Sequence, residues 1–369
     1  MKICICGGGS LGHVIAGKIA SKGENVSILT RCPEKWNSEI KIDDCEGKIF
    51  TGKFSCVTDQ AEKIIPDVDI VLLCLPGFAI EPVLKQIAPY LSENTYVGSV
   101  VCCTGFFFIA YKVFVNNKTQ PLFGFQRAPY IARVAEYGAS AHLLGYKKEL
   151  QIATVNVADN MFLQAYWQTR LDTPVRMLDH FLEASLTNSN PLLHPARLYG
   201  LFHAWNKDIV YEEIPAFYKI WDDYSSELLI SCDKEFHAVL SALPVKIEQI
   251  PTLLDYYESI DAASLTRKIQ SITAFEGIFT PMKQMNNGYI PDFSSRYFLE
   301  DIPFGLLIIK SIAEILNVPT PTIDKILLWG QEMIGKQYML AGRLNGKDLI
   351  HSGYVSPDLF HDLINTIVR

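Results

Sequence analysis

The sequence predicts an α/β domain built on a parallel sheet, followed by an all-helical domain. Short apolar runs alternate with helix-compatible stretches through the first half of the chain. A glycine-rich turn joins the first of these runs to the first helix. Beyond about residue 160 the strand-like runs stop and helical periodicity takes over. We place the domains at 1–165 and 166–369, a division that a chain of 369 residues readily accommodates.

Taken in order, Lys2–Cys6 is a short apolar strand, and the stretch from Gly12 to Ser21 has helical spacing. The turn chemistry of Lys22-Gly23-Glu24-Asn25 leads into a second apolar run, Val26 to Thr30. Residues 39–42 and 48–57 alternate polar and apolar around Glu46-Gly47, which predicts a small antiparallel excursion. Asp69 to Leu75 reads as a strand buried on both faces, Ala79 to Tyr90 as a helix, and Tyr96 to Cys102 as the next strand. Leu122–Phe125 and Leu150–Val155 complete the sheet. The apolar stretch from Val97 to Val115 is interrupted by Gly98, Ser99, Gly105 and Lys112, so it reads as strand, turn and buried helix and not as a membrane span. In the second half, Leu178, Phe181, Leu182 and Leu186 share one helical face, as do Ile308, Ile312, Ile315 and Leu316.

Composition excludes several function classes. A net charge of -7 argues against a nucleic-acid partner, which needs clustered positive charge. The nine cysteines are odd in number and contain no C-x-x-C pair, which argues against structural zinc and a disulfide framework and for buried, reduced thiols. No targeting segment or membrane span is recognisable, so the expectation is a soluble cytoplasmic protein.

Residues 3–13 read ICICGGGSLGH. Gly7, Gly9 and Gly12 fit G-x-G-x-x-G between a strand and a helix, the pattern of a Rossmann-type dinucleotide site. The first glycine permits the tight turn, the second lets backbone approach a pyrophosphate, and the third lets helix and strand pack closely. Ser10 and Leu11, opening the helix, would offer amides to the phosphates. The second strand ends Thr30-Arg31, with no acid for the ribose hydroxyls. Arg31 suits a 2′-phosphate, with Thr30 donating a hydrogen bond, so NADP(H) is favoured and NAD(H) is the alternative. Leu75-Pro76, at the carboxyl end of a buried strand, falls where a cofactor passes in this architecture.

Two stretches of the helical half carry candidate chemistry. Asn190-Pro191-Leu192-Leu193-His194-Pro195 has two prolines four apart, expected to kink or break a helix and present Asn190 and His194 at a bend. In the second, Arg296 lies five residues before Asp301, within a segment that ends Pro303-Phe304-Gly305. Singly, each residue has a structural explanation: His194 as a helix cap, Asp301 as an N-cap, Arg296 as a solvated ion pair.

Together these features resemble the opine dehydrogenase family, the octopine and nopaline dehydrogenases. The matching features are GGGSLGH, N-x-x-x-H-P at 190–195, R-x-x-x-x-D-x-P-F-G at 296–305 and, less specifically, the proline-aromatic-x-x-Arg segment that ends at Arg133. The resemblance spans both domains in the same order, although residues 197–280, which would shape the specificity pocket, carry no match. It implies a Rossmann domain joined to a helical domain like the C-terminal domain of 6-phosphogluconate dehydrogenase. It also implies reductive condensation of an amino acid with a 2-oxo acid through an imine that receives hydride from NAD(P)H. Carried over residue by residue, it makes His194 the acid/base, Asp301 its orienting carboxylate and Arg296 the holder of a substrate carboxylate. Asn190 and Arg133 are further substrate-binding candidates. His13 and Arg197 are read as packing or minor candidates. The partners are small molecules, with no nucleic acid or membrane, and a homodimer is compatible with the sequence. Two alternatives stay open: a 2-oxo acid reductase related to ketopantoate reductase or glycerol-3-phosphate dehydrogenase, and a non-catalytic NADP-binding sensor.

Overall fold

The structure, a computed structural model, describes residues 1–103, 105–187 and 190–367. The chain divides into two compact units, Met1–Ser185 with Leu363–Arg369, and Leu186–Asp362.

In the first unit the strands are β1 (Lys2–Cys6), β2 (Asn25–Leu29), β3 (Glu39–Asp44), β4 (Ile49–Thr58), β5 (Ile70–Leu73), β6 (Tyr96–Val100), β7 (Leu122–Phe125), β8 (Tyr130–Glu136), β9 (Ser140–Tyr146), β10 (Leu150–Val155) and β11 (Val175–Met177). Among the described residues they form one curled sheet in the order β11-β10-β7-β6-β5-β1-β2-β4-β3-β9-β8. From β7 to β4 every pairing is parallel. The helices of this unit are α1 (Ser10–Ser21), α2 (Gly77–Ile87), α3 (Phe106–Val113), α4 (Asn160–Leu171) and α5 (Phe181–Ser185).

Burial explains why β1 and β5 are apolar along their length. Ile3, Cys4, Ile5 and Ile70 to Leu73 are almost wholly inaccessible, as expected of central parallel strands with both faces covered. Because β1 pairs with β2 on one side and β5 on the other, the chain reverses direction across the sheet just beyond β1. That reversal opens a crevice at the carboxyl ends of β1 and β5, the place where such sheets bind nucleotides.

The antiparallel excursion is present, with β3 running against β4. The β8–β9 hairpin was not anticipated; β9 pairs with β3 and so extends the same sheet. The first unit also continues past residue 165, because α4 buries Leu163 and Trp167 in the sheet core and β11 adds a strand alongside β10. None of the nine cysteines is joined in a disulfide. Cys4, Cys6, Cys74, Cys102 and Cys232 are buried, but Cys45 is exposed and Cys32, Cys56 and Cys103 are half-buried, so burial does not hold for the whole set.

His180, between β11 and α5, is a buried group with no evident chemical task. Its Nδ1 accepts the Leu182 amide at 3.1 Å, which leaves the proton on Nε2, and that atom has no partner among the described residues. Burial lowers its pKa from the ordinary 6.5 to about 4. The folded state therefore binds this proton less readily than the unfolded chain, so the contribution is complete above pH 6.5 and is lost as pH falls toward 4. Between pH 7 and pH 5 the loss should be about 2 kcal/mol. Denaturant titrations at the two pH values should show it, and His180→Asn, which keeps an acceptor for the Leu182 amide but does not titrate, should reduce the difference by that amount.

The second unit is mostly helical: α6 (Asn190–Phe202), α7 (Asp223–Ala242), α8 (Leu253–Tyr256), α9 (Ala262–Ser271), α10 (Arg296–Leu299), α11 (Leu307–Ile315) and α12 (Pro321–Met333), with a π-helical turn at Ile302–Leu306. Strands do not vanish entirely. Two small hairpins, Met282–Met285 with Gly288–Pro291 and Met339–Leu340 with Arg343–Leu344, interrupt the helices. The first turns at Asn286-Asn287, a pair suited to tight turns. No helix among the described residues is long and apolar enough to cross a membrane.

Candidate active site

The glycine loop has the geometry its spacing implies. Gly7 lies at φ +119°, and a Cβ there would stand 2.5 Å from the Cys74 carbonyl oxygen, at the end of β5. A Cβ on Gly12 would meet the Gly7 carbonyl oxygen at 2.2 Å. At Gly9, by contrast, a Cβ would meet nothing within 4 Å. Gly9 is the N-cap of α1, no side chain caps that end, and no acid occupies its first turn. Uncapped amides, the positive end of the helix and open space before Gly9 fit a pyrophosphate. Leu75 and Pro76 are half-buried beside this loop, and the Leu75 side chain would come within 3.0 Å of a Cβ on Gly7. Thr30 is buried, whereas Arg31 is exposed and pairs with no carboxylate among the described residues.

His13 holds the loop from behind. Its ring accepts the Gly138 amide at Nε2 (2.8 Å), so Nδ1–H donates to the Gly9 carbonyl (3.0 Å). Trp36 packs 4.2 Å from its centroid, and burial lowers its pKa, which favours the neutral form that this arrangement requires. Gly138 sits in the turn of the β8–β9 hairpin, so the hairpin braces the loop. Val134 on β8 also donates its amide to Ser10 Oγ at 3.3 Å. Arg133 is the residue before it, on the same strand and exposed.

In the second unit, α6 is not broken. It runs from Asn190 to Phe202 through both prolines. Pro191 occupies the first turn, where an amide would lack a partner anyway, and Pro195 forfeits only the ladder bond to the Pro191 carbonyl. Asn190 is exposed at the start of the helix, and one turn later His194 is 5% exposed.

His194 Nδ1 lies 2.8 Å from Asp301 Oδ2. A carboxylate only accepts, so Nδ1 carries the proton and Nε2 is left as the acceptor. Nε2 is met by the Tyr218 hydroxyl at 2.9 Å. Tyr297 packs against the imidazole at 4.3 Å, and Phe217 meets it edge-on at 5.7 Å. Asp301 reaches the histidine because the π turn packs closely on α6. Leu306 donates its amide to the Asp301 carbonyl at 2.8 Å, and a Cβ on Gly305 would stand 3.1 Å from Pro191. The P-F-G that follows Asp301 thus has a steric reason: only a residue without a side chain sits easily against the proline that opens α6.

Arg197, fully buried on α6, is a structural brace. It donates to the carbonyls of Phe217 (3.0 Å) and Ile220 (2.7 Å), to Asp222 (2.8 Å) and to Ser225 Oγ (3.1 Å), and so fixes the loop that carries Tyr218. Arg296 is 73% exposed and ion-paired with Glu300 one turn on, donating from Nε at 2.7 Å and from Nη2. It makes no hydrogen bond to His194 or Asp301 among the described residues. Sequence reasoning missed Tyr218, which lies in the stretch without motif matches; its aromatic surroundings, Phe217-Tyr218-Lys219-Ile220-Trp221, were the one available signal.

One unit thus carries a glycine loop and an uncapped helix N-terminus on a parallel sheet, and the helical unit carries a buried imidazole hydrogen-bonded to a carboxylate. Residues 3–103 match the family described as Ketopantoate reductase PanE/ApbA, and residues 177–334 match NAD/NADP octopine/nopaline dehydrogenase, alpha-helical domain. The chain is 30% identical to octopine dehydrogenase of Mizuhopecten yessoensis, with 95% of this chain and 94% of that enzyme covered. It is 31% identical to tauropine dehydrogenase of Arabella iricolor, with 94% and 95% covered. Among solved structures, octopine dehydrogenase with NADH and L-arginine superposes with a TM-score of 0.88 at 27% identity, covering 99% of this chain and 98% of that one. The chain belongs to the opine dehydrogenase family and is an NAD(P)-dependent oxidoreductase.

Proposed function

We propose that this enzyme condenses an amino acid with a 2-oxo acid reductively, with His194 as acid/base and Asp301 as its orienting carboxylate. The observation that carries the reading is the 2.8 Å contact of His194 Nδ1 with Asp301, in a buried, aromatic-lined setting. Gly7, Gly9, Ser10, Leu11 and Gly12 hold the cofactor pyrophosphate, Thr30 and Arg31 its adenosine ribose, and Leu75 and Pro76 flank it. When bound, the reduced cofactor supplies hydride to the imine carbon. Asp301 fixes the imidazole with Nε2 as its proton-exchanging atom and stabilises the imidazolium when Nε2 is protonated. Arg296 engages Glu300 through Nε and Nη2, which leaves Nη1 for a substrate carboxylate. Asn190, one turn before His194, hydrogen-bonds the reacting carbonyl, and Arg133 contributes a second positive charge for substrate.

The test is NADH and NADPH oxidation with pyruvate, alone and with L-arginine, L-alanine, glycine or taurine. Turnover that requires both an oxo acid and an amine supports the reading. Turnover with pyruvate alone points to a hydroxy-acid reductase, and cofactor binding without turnover points to a sensor.

The same assay addresses cofactor choice. Arg31 is exposed, carries no carboxylate partner among the described residues and follows the carboxyl end of β2, the position from which a basic residue can engage a 2′-phosphate in this architecture. Arg31→Ala should weaken NADPH binding about tenfold, roughly 1.4 kcal/mol, and NADH binding much less. Fluorescence titration of both cofactors reads the difference directly.

A further inference from the structure

The proton-exchanging nitrogen of His194 is already occupied. Asp301 takes Nδ1, and the Tyr218 hydroxyl stands on Nε2 at 2.9 Å. Either the phenol leaves when substrate arrives, or the proton passes through it.

The surroundings of Tyr218 favour passage. Its ring stacks on Phe275 at 4.0 Å and 15°, and lies parallel to Trp221 at 6.3 Å and 7°. Its backbone carbonyl accepts the Trp221 amide at 3.1 Å. On either side, the carbonyls of Phe217 and Ile220 are held by the buried guanidinium of Arg197. The preceding loop is laced to the 278–280 segment by Phe217 N–H to Ile278 O (2.8 Å) and Thr280 N–H to Pro215 O (2.9 Å). Swinging the phenol away would break ring stacking and disturb an anchored loop. The hydroxyl needs no movement to serve as a relay, because it can accept one proton while donating another.

We propose that Tyr218 is the proton-delivering end of an Asp301–His194–Tyr218 relay, a proposal that rests on the reading of His194 as acid/base. In the reductive direction the substrate nitrogen takes the Tyr218 O–H proton as the C=N π pair moves onto it. The phenol oxygen takes the Nε2 proton of the imidazolium, and that N–H bond breaks. His194 is left neutral, with Nδ1–H on Asp301, and recovers a proton from solvent. Burial, with Tyr297, Tyr257 and Asp301 close by, pushes the phenol of Tyr218 well above its ordinary range. A free phenolate is therefore disfavoured, and the two transfers occur together.

The experiment compares Tyr218→Phe, His194→Ala and the double variant, using pyruvate with the amine panel. The relay predicts that Tyr218→Phe lowers kcat about 10²-fold with cofactor KM within twofold, and that the double variant is no slower than His194→Ala. In mixed H2O and D2O, single-turnover NADH oxidation by the unaltered enzyme should depend on deuterium fraction along a curve, showing two protons in flight. In the protein without cofactor, the ¹⁵N signal of His194 Nε2 should move toward that of an unbonded acceptor in Tyr218→Phe. A Tyr218→Phe enzyme within threefold of the unaltered kcat, beside an inactive His194→Ala, overturns the relay and leaves the acid/base reading standing. A linear deuterium dependence in the unaltered enzyme overturns it even if Tyr218→Phe fails to fold. A fully active His194→Ala overturns the acid/base reading itself.

Discussion

His194→Ala is expected to lower kcat about 10²–10⁴-fold, the usual worth of a positioned acid/base, while cofactor affinity stays unchanged. The split follows from where the parts lie. His194 belongs to the helical unit, whereas the glycine loop belongs to the unit that carries the parallel sheet. Asp301→Asn should cost less, between about 10- and 10³-fold. An asparagine oxygen can still accept Nδ1–H and keep the ring oriented, but the charge that stabilises the imidazolium is gone. Because the two side chains act as one unit, the double variant should be scarcely slower than His194→Ala. Steady-state kinetics with cofactor titrations check all three. A loss that appeared mainly in cofactor KM would contradict the assignment.

The residues behind that expectation were legible for a physical reason. Gly7, Gly9 and Gly12 lie within one turn, so their spacing encodes their geometry, and the close approaches at Gly7 and Gly12 are the ones that spacing implies. His194 and Asp301 are distant in sequence, but each sits in a short motif with its own local logic. What surrounds the imidazole was not legible. Tyr218 lies 24 residues from His194, and its approach depends on Arg197, Phe275 and the pairing of residues 215–217 with 278–280. None of those contacts leaves a periodic trace in sequence. The β8–β9 hairpin was missed because it ends the sheet, with β8 as the edge strand, and Arg133, Glu136 and other exposed residues replace the continuous apolar run that marks a central strand. The prolines of α6 misled in the opposite direction. Proline breaks a helix where it removes bonds that matter, and one of these two sits in a turn whose amides were unpaired from the start.

The three glycines also allow cofactor binding to be separated from folding. Gly12→Ala should destabilise the first unit by about 1–3 kcal/mol, since its Cβ would lie 2.2 Å from a backbone oxygen that cannot rotate aside. It should weaken the cofactor as well, because relieving the clash moves α1 away from β1 and carries the helix amides with it. Gly9→Ala should behave differently. Its backbone, at φ -84° and ψ 179°, is open to any residue, and its Cβ would meet no protein atom within 4 Å. The thermal midpoint should therefore stay close to that of the unaltered protein, while the Kd for cofactor rises at least tenfold, about 1.4 kcal/mol. Such a loss can come only from what fills the space before Gly9 once the cofactor is bound. Calorimetric melts paired with fluorescence titrations of NADH and NADPH make the distinction. If Gly9→Ala bound both cofactors as tightly as the unaltered enzyme, the pyrophosphate would have to lie elsewhere than on the N-terminus of α1.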